Sequence, residues 1–260
     1  MKRSQLKPTV LTFSGLDPTG SAGLQADIES IAAQDAHAIP ILTCLTVQDT
    51  SDVYNIEPVK PDFIYKMAKK VIADMPIGAV KIGLLPNYKT VEIIIDILEN
   101  NLTENVSVVL DPIIKSSAGT PLCDKKTIKS IVEMFHFTSL VTPNTIEARE
   151  FGNNSDIDCC AKQILKTGAS SVLVTGTHEK TSNVQHKLYT HGQTELFEYK
   201  RLKKEFHGSG CTVAAAAAAQ LSKGEDITSA VKMSLDYTWD TLNQAFEIGR
   251  GQSTPTRIFK

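Results

Sequence analysis

The sequence predicts an α/β fold: a doubly wound, mostly parallel central sheet with helices on both faces. Three observations predict it. Short apolar runs rich in Val, Ile and Leu recur along the chain, continuous rather than alternating, as strands buried on both faces require. Amphipathic helical stretches separate these runs, so strand and helix take turns. Residues that start and stop helices stand where the periodicity changes.

Taken in order, Val10–Ser14 is the first strand candidate and Ala22–Gln34 the helix after it. Ile39–Leu45 is the second strand, and Val53–Val59 is an extra strand that interrupts the alternation. Pro61 then opens a helix over Asp62–Asp74, because proline at a first turn loses no hydrogen bond. Ala79–Leu85 is followed by a helix over Lys89–Leu98 with Asn87 at its start, and Ser107–Leu110 by a helix over Asp124–Glu133. Ser139–Val141 leads to Asn144, a capping residue with Glu147 three positions later on a first helical turn. Ile157–Lys166 is a helix bounded by Ser155 and Gly168, and Ser171–Thr175 is the next strand. Lys187–Lys200 reads as a hairpin turning at His191–Gly192, the second break in the alternation. Two helices finish the pattern, Cys211–Ser222 ending near Gly224, and Ile227–Ala245.

No repeat or long linker divides the chain, so residues 1–260 read as a single domain. A net charge of −2 offers neither nucleic acid nor an anionic membrane a basic surface. No apolar run reaches the roughly 18 residues that a membrane span needs. The Met1–Lys7 stretch is basic but leads into a strand-like run, not a signal-peptide core. A cytoplasmic protein is expected on these grounds; whether it pairs into a homodimer is left open. The five cysteines match neither a metal knuckle nor a disulfide framework and read as reduced thiols.

Four places can carry chemistry. His207-Gly208-Ser209-Gly210-Cys211-Thr212 runs straight into Val213 and six alanines, so a helix begins near Cys211. Glycines before it let backbone N–H groups converge on an anion at the helix's positive end, which would also favour a thiolate. A tight packing turn with Cys211 merely buried is the plainer alternative. Asp111 ends an apolar strand before Pro112, where a carboxylate can face a ligand crevice and hold Mg²⁺, or simply begin a turn. Glu147 can serve metal-bound phosphate or only complete the cap of Asn144. The loop from Ser14 to Gly23 is neither a Rossmann nor a Walker loop, though its glycines allow close approach to a small ligand. Gln48 follows the second strand at the same edge, and a carboxamide can pair with an amine and a ring nitrogen side by side. Trp239 reads as a packing residue, Cys159-Cys160 as part core and part surface, and Lys203-Lys204 as a solvated pair.

In this order the motifs resemble the hydroxymethylpyrimidine and phosphomethylpyrimidine kinases, members of the ribokinase-like superfamily. The resemblance runs from Thr9 to Pro255 and rests on Gly15-x-Asp17-Pro18-x-Gly20-x-Ala22-Gly23-x-Gln25-Ala26-Asp27, Leu45 to Thr50, and Val80-Lys81-Ile82-Gly83-Leu84. It continues through Val109 to Pro112, Thr142-Pro143-Asn144-x-x-Glu147-Ala148, and His207 to Thr212. It implies a ribokinase-like fold and ATP- and Mg²⁺-dependent phosphorylation of a hydroxymethylpyrimidine or its monophosphate in thiamine biosynthesis. By the same resemblance Gly15, Asp17, Asp27, Gln48 and Leu84 bind the pyrimidine, and Asn144, Thr175, Thr177 and His207 the nucleotide. Asp111 and Glu147 serve the metal, Gly208, Ser209 and Gly210 form the anion hole, and Cys211 is the base. The chain departs from the family at Thr175-Gly176-Thr177-His178, where Lys-Gly-Gly-His is usual, with Lys203 a candidate replacement. It also departs at Leu84, usually methionine, and between His178 and His207. A pyridoxal kinase of the cysteine-bearing type and a non-catalytic ligand-binding relative are the alternatives.

Overall fold

Val10 of β1 (Thr9–Leu16) packs on one face of a sheet, and its neighbours Leu11 and Phe13 on the other. The same division recurs in β4 (Ala79–Ile82), β5 (Ser107–Leu110), β6 (Leu140–Val141) and β7 (Ser171–Val174). Val80, Val108, Val141 and Val172 go to one core, while Ala79, Val109, Leu140 and Leu173 go to the other. Both faces are apolar, which is why these strands read as continuous hydrophobic runs.

The computed structural model describes residues 6–103 and 105–258; residues 1–5 of the basic N-terminal stretch lie outside them. Among the described residues the strands form one nine-stranded sheet, ordered β3-β2-β1-β4-β5-β6-β7-β8-β9. From β2 (His37–Gln48) to β7 neighbours are parallel; β3 (Val53–Pro58) closes one edge antiparallel, and the hairpin β8 (Asn183–Thr190) and β9 (Gln193–Lys200) the other. The larger core receives α2 (Pro61–Asp74), α3 (Tyr88–Asn101), α4 (Lys125–Met134), α5 (Thr145–Gly152) and α6 (Ile157–Lys166). The second face carries α1 (Gly23–Ala33), α7 (Ser209–Ser222) and α8 (Ile227–Asn243). The six alanines Ala214–Ala219 of α7 are all fully buried, their small side chains letting the helix sit close to sheet and helices together.

Expectation and structure differ in particular places. Asp156, not Ser155, caps α6, its Oδ1 accepting the Cys159 N–H at 2.8 Å. The hairpin begins at Asn183 rather than Lys187, because the mostly polar stretch Asn183–His186 joins by cross-strand pairing to Phe197–Lys200 and not by apolar continuity. A 3-10 turn at Phe135–Phe137 was not foreseen, and α8 stops at Asn243. Gly168 (φ 115°) and Gly224 (φ 90°) do end helices in the left-handed conformation. No helix of the described residues is long and apolar enough to cross a membrane.

Candidate active site

From β1 the chain crosses to β2 on one side and later to β4 on the other, so the strand order reverses between β1 and β4. Ligands of open parallel sheets bind at the carboxyl ends of strands at such a reversal. A cavity of about 740 Å³ opens there. Its walls follow the strand order: Gln48 of β2, Gly15 of β1, Leu84 after β4, Asp111 after β5, Asn144 after β6, Thr175 after β7, then His186 and Tyr199 of β8 and β9. Six strand steps separate β2 from β8, roughly 30 Å at about 4.8 Å each. That length suits two ligands end to end better than one small ring.

At the first end, a β-bulge at Ser14/Gly15 turns β1 into its loop. A Cβ at Gly15 would lie 2.8 Å from Cys44 Sγ and 3.2 Å from Leu84 Cδ2, so only glycine leaves that wall flat. Asp17 lines the cavity, but its oxygens are used within the protein: Oδ1 accepts from Thr19 N, and Oδ2 from Ala22 N and His207 Nε2. Burial acts to raise its pKa, yet hydrogen bonds from His207 and Thr19 hold the carboxyl below the usual range. Gln48 meets the same His207 nitrogen at 2.6 Å. His207, assigned to the nucleotide by resemblance, thus stands among the residues at the β2 end. Asp27 requires a correction as well. It is fully buried beneath the cavity, its carboxylate ion-paired with Lys81 at 2.8 Å and accepting from the hydroxyls of Thr12 and Ser14. It holds a cation in place instead of touching a ligand.

In the middle, α7 opens with Gly208 at φ 90° and no side-chain cap. Asn87, Asp124, Asn144, Asp156 and Asp226 cap their helices, whereas α1 and α2, like α7, start without a side-chain cap. The first amides of α7 are therefore free for an anion, and Gly208, Ser209 and Gly210 line the cavity. Cys211 lines it too, 6% exposed, against Ala22 and Ala26. Helix dipole and expectation favoured a thiolate; the structure reverses this. Burial pushes the Cys211 thiol up to about 12, although the Lys81 ammonium pulls it down. Lys81 itself is fully buried; burial acts against its charge, but Asp27, then Cys211 and Asp111, hold it above the ordinary lysine value.

Asp111 and Glu147 face each other electrostatically. Burial raises Asp111 to about 6, against the pull of Lys81. Burial and then Asp111 raise Glu147 to about 8. Asn144 and Glu147 form a full capping box, so Glu147 Oε2 already accepts the Asn144 N–H at 2.9 Å. Asp111 Oδ2 is buried with no hydrogen-bond partner, and a Cβ at Gly210 would lie 3.8 Å from both Asp111 oxygens. Two carboxylates so coupled, beside the uncapped amides of α7, fit a divalent cation that balances their charge. Among the described residues no cluster of three metal-ligating side chains exists, so such a cation would take its other ligands from phosphate and water.

At the far end Thr175, Thr177, His178 and Lys203 line the cavity with Tyr199 and Trp239. Trp239, read as packing, donates its indole N–H to the Lys200 carbonyl and walls the slot between the hairpin and α8. Sequence reasoning missed it because one aromatic residue on a helix carries no positional signal. Lys81 left a better trace: a lone charge inside the apolar run Ala79–Ile82 demands a buried partner.

The family model described as phosphomethylpyrimidine kinase matches residues 17–256. A hydroxymethylpyrimidine/phosphomethylpyrimidine kinase of Aquifex aeolicus is 31% identical over 250 residues, spanning 93% of this chain and 96% of that protein. The protein of the same description from Haemophilus influenzae is 29% identical, spanning 93% of each. Among solved structures, phosphomethylpyrimidine kinase from Clostridium difficile 630 superposes with a TM-score of 0.80 at 27% identity, covering 91% of this chain and all of the other (100%). Pyridoxal kinase of Bacillus subtilis, in an ADP complex, shares the fold with a TM-score of 0.89 at 23% identity, over 97% and 98% of the two chains.

Proposed function

The chain belongs to the phosphomethylpyrimidine kinase family, and we propose from that premise that it transfers the γ-phosphoryl of ATP to 4-amino-5-hydroxymethyl-2-methylpyrimidine, to the resulting monophosphate, or to both, in thiamine diphosphate synthesis or salvage. One observation carries the reading: a single cavity runs from a ring-sized end at Gly15, Gln48 and Leu84, past uncapped helix amides, to a slot at Tyr199 and Trp239.

In this reading Gln48 pairs with the ring amine and ring nitrogen, and Gly15 and Leu84 hold the ring flat. The nucleotide lies along Asn144, Thr175 and Thr177 with its base in the slot, and Lys203 stands in for the missing family lysine. Asp111 and Glu147 would hold Mg²⁺, which would supply positive charge to the phosphate oxygens. The amides of Ser209, Gly210 and Cys211 receive the charge that builds on the moving phosphoryl, in-line between the two ligands. The alcohol oxygen forms the new P–O bond, the bond to the ADP oxygen breaks, and the alcohol proton leaves to Cys211. Because burial keeps the resting thiol protonated, its own proton must first leave to solvent through the cavity that Cys211 lines, and Asp111 stays ionised for the cation. Lys81 balances the negative charge this leaves beside α7.

Turnover with Mg-ATP against hydroxymethylpyrimidine, its monophosphate, pyridoxal and ribose tests the assignment. Phosphorylation of at least one pyrimidine, far above pyridoxal and ribose, is expected. Binding without ADP release on any of them overturns it.

A further inference from the structure

Arg257 lies in the C-terminal strap, beyond every sequence motif, and is only 2% exposed. Its Nε donates to Thr212 Oγ1 at 2.9 Å, its Nη2 to the Ser21 carbonyl, and its Nη1 to Glu29 Oε2 at 3.4 Å. Thr212 Oγ1 in turn donates to the Gly208 carbonyl at 2.8 Å, and the Thr212 N–H reaches the same oxygen at 3.0 Å. A trans peptide is planar, with its C=O and the following N–H pointing in opposite directions. Fixing the Gly208 carbonyl along the helix toward Thr212 therefore aims the Ser209 N–H the other way, out of the helix end that lines the cavity.

Arg257 also backs the glycine directly. A Cβ at Gly208 would lie 1.9 Å from the Ser21 carbonyl and 2.7 Å from Arg257 Nη2, so the turn has no room to settle backwards. The strap is itself tied down. Ser253 pairs with Phe206 just ahead of the turn, Ser21 Oγ meets Thr254 Oγ1 at 2.6 Å, and the Tyr237 hydroxyl donates to the Arg257 carbonyl at 2.8 Å. Glu29 answers the guanidinium charge on its partly exposed side. The inner side faces the positive end of α7, where a second positive charge favours the same anion.

We infer that Arg257 is a positioning residue for the phosphoryl-binding amides, acting through Thr212 and the Gly208 carbonyl. This rests on the kinase reading above. A hole misaimed at one donor loses about 10²-fold in kcat, the scale of a single donor's contribution, with little change in KM for the pyrimidine. Thr212→Val keeps the shape and removes the relay oxygen; Thr212→Ser keeps the oxygen. Arg257→Lys keeps the charge but cannot span three acceptors.

The test compares kcat and KM for the three variants and, by calorimetry, their binding of Mg-ATP and Mg-ADP. Thr212→Val and Arg257→Lys are expected to lower kcat at unchanged KM for the pyrimidine and to bind Mg-ATP more weakly relative to Mg-ADP than wild type does, while Thr212→Ser restores both. Wild-type kcat in Thr212→Val and Arg257→Lys, or equal loss in Thr212→Ser and Thr212→Val, overturns the inference. The nucleotide comparison needs no alcohol substrate. A wild-type chain that phosphorylates no pyrimidine therefore ends the functional reading, and the ATP-to-ADP ratios still decide the role of Arg257.

Discussion

Replacing Lys81 with methionine removes the ammonium from a fully buried ion pair. Its Nζ lies 2.8 and 3.0 Å from the two Asp27 oxygens and 3.2 Å from Ser14 Oγ, with no solvent at either side chain. Methionine fills nearly the same volume, so the cost is electrostatic: Asp27 stays buried with only the Thr12 and Ser14 hydroxyls. Breaking a buried pair from one side costs about 3–5 kcal/mol. At about 2–4 °C per kcal/mol for a chain of this size, the melting temperature should drop by roughly 6–20 °C. Asp27→Asn should destabilise as well, by stranding the ammonium. The double variant strands neither charge, so it should be more stable than the sum of the single changes implies. Thermal melts and urea titrations of the four proteins close the cycle. An additive double variant, or Lys81→Met melting within about 2 °C of wild type, refutes the reasoning. So does Asn at position 27 that raises KM for the pyrimidine at unchanged stability, since Asp27 would then be reading substrate.

Cys211→Ala is expected to abolish phosphoryl transfer while Mg-ATP binding by calorimetry stays near wild type; near-normal turnover removes Cys211 from the proton path. Glu147, held near 8, is mostly protonated at pH 7, and a divalent cation favours its ionised form. Binding of Mg-nucleotide at pH 7 should therefore release close to one proton, measured by calorimetry in buffers of different ionisation enthalpy, and Glu147→Gln should remove that release. Gln48→Leu should lower kcat/KM for hydroxymethylpyrimidine at least about tenfold more than for pyridoxal, which lacks an amine beside a ring nitrogen; equal losses would take Gln48 away from the ring edge.

Much was legible in the residues because local physics wrote it there. Continuous Val/Ile/Leu runs announced buried strands, and Asn144 with Glu147 announced a cap that the structure completes on both sides. Gly208 to Cys211 ahead of an alanine run announced a helix start, and α7 does begin at Ser209, with no side-chain cap. Those signals lie within a few residues of one another, so no tertiary information is needed to read them.

What the sequence could not contain was the meeting of distant segments. Asp27 and Lys81 are 54 residues apart, and only the parallel pairing of β1 with β4 brings a helix carboxylate over a strand cation. Arg257 reaches Ser21 across 236 residues to brace a turn that sits between them in the chain. The charge state of Cys211 was decided in the same way. A helix dipole is a local property and favours the thiolate, but desolvation is set by everything packed around the sulfur, and here it outweighs even the pull of the Lys81 ammonium.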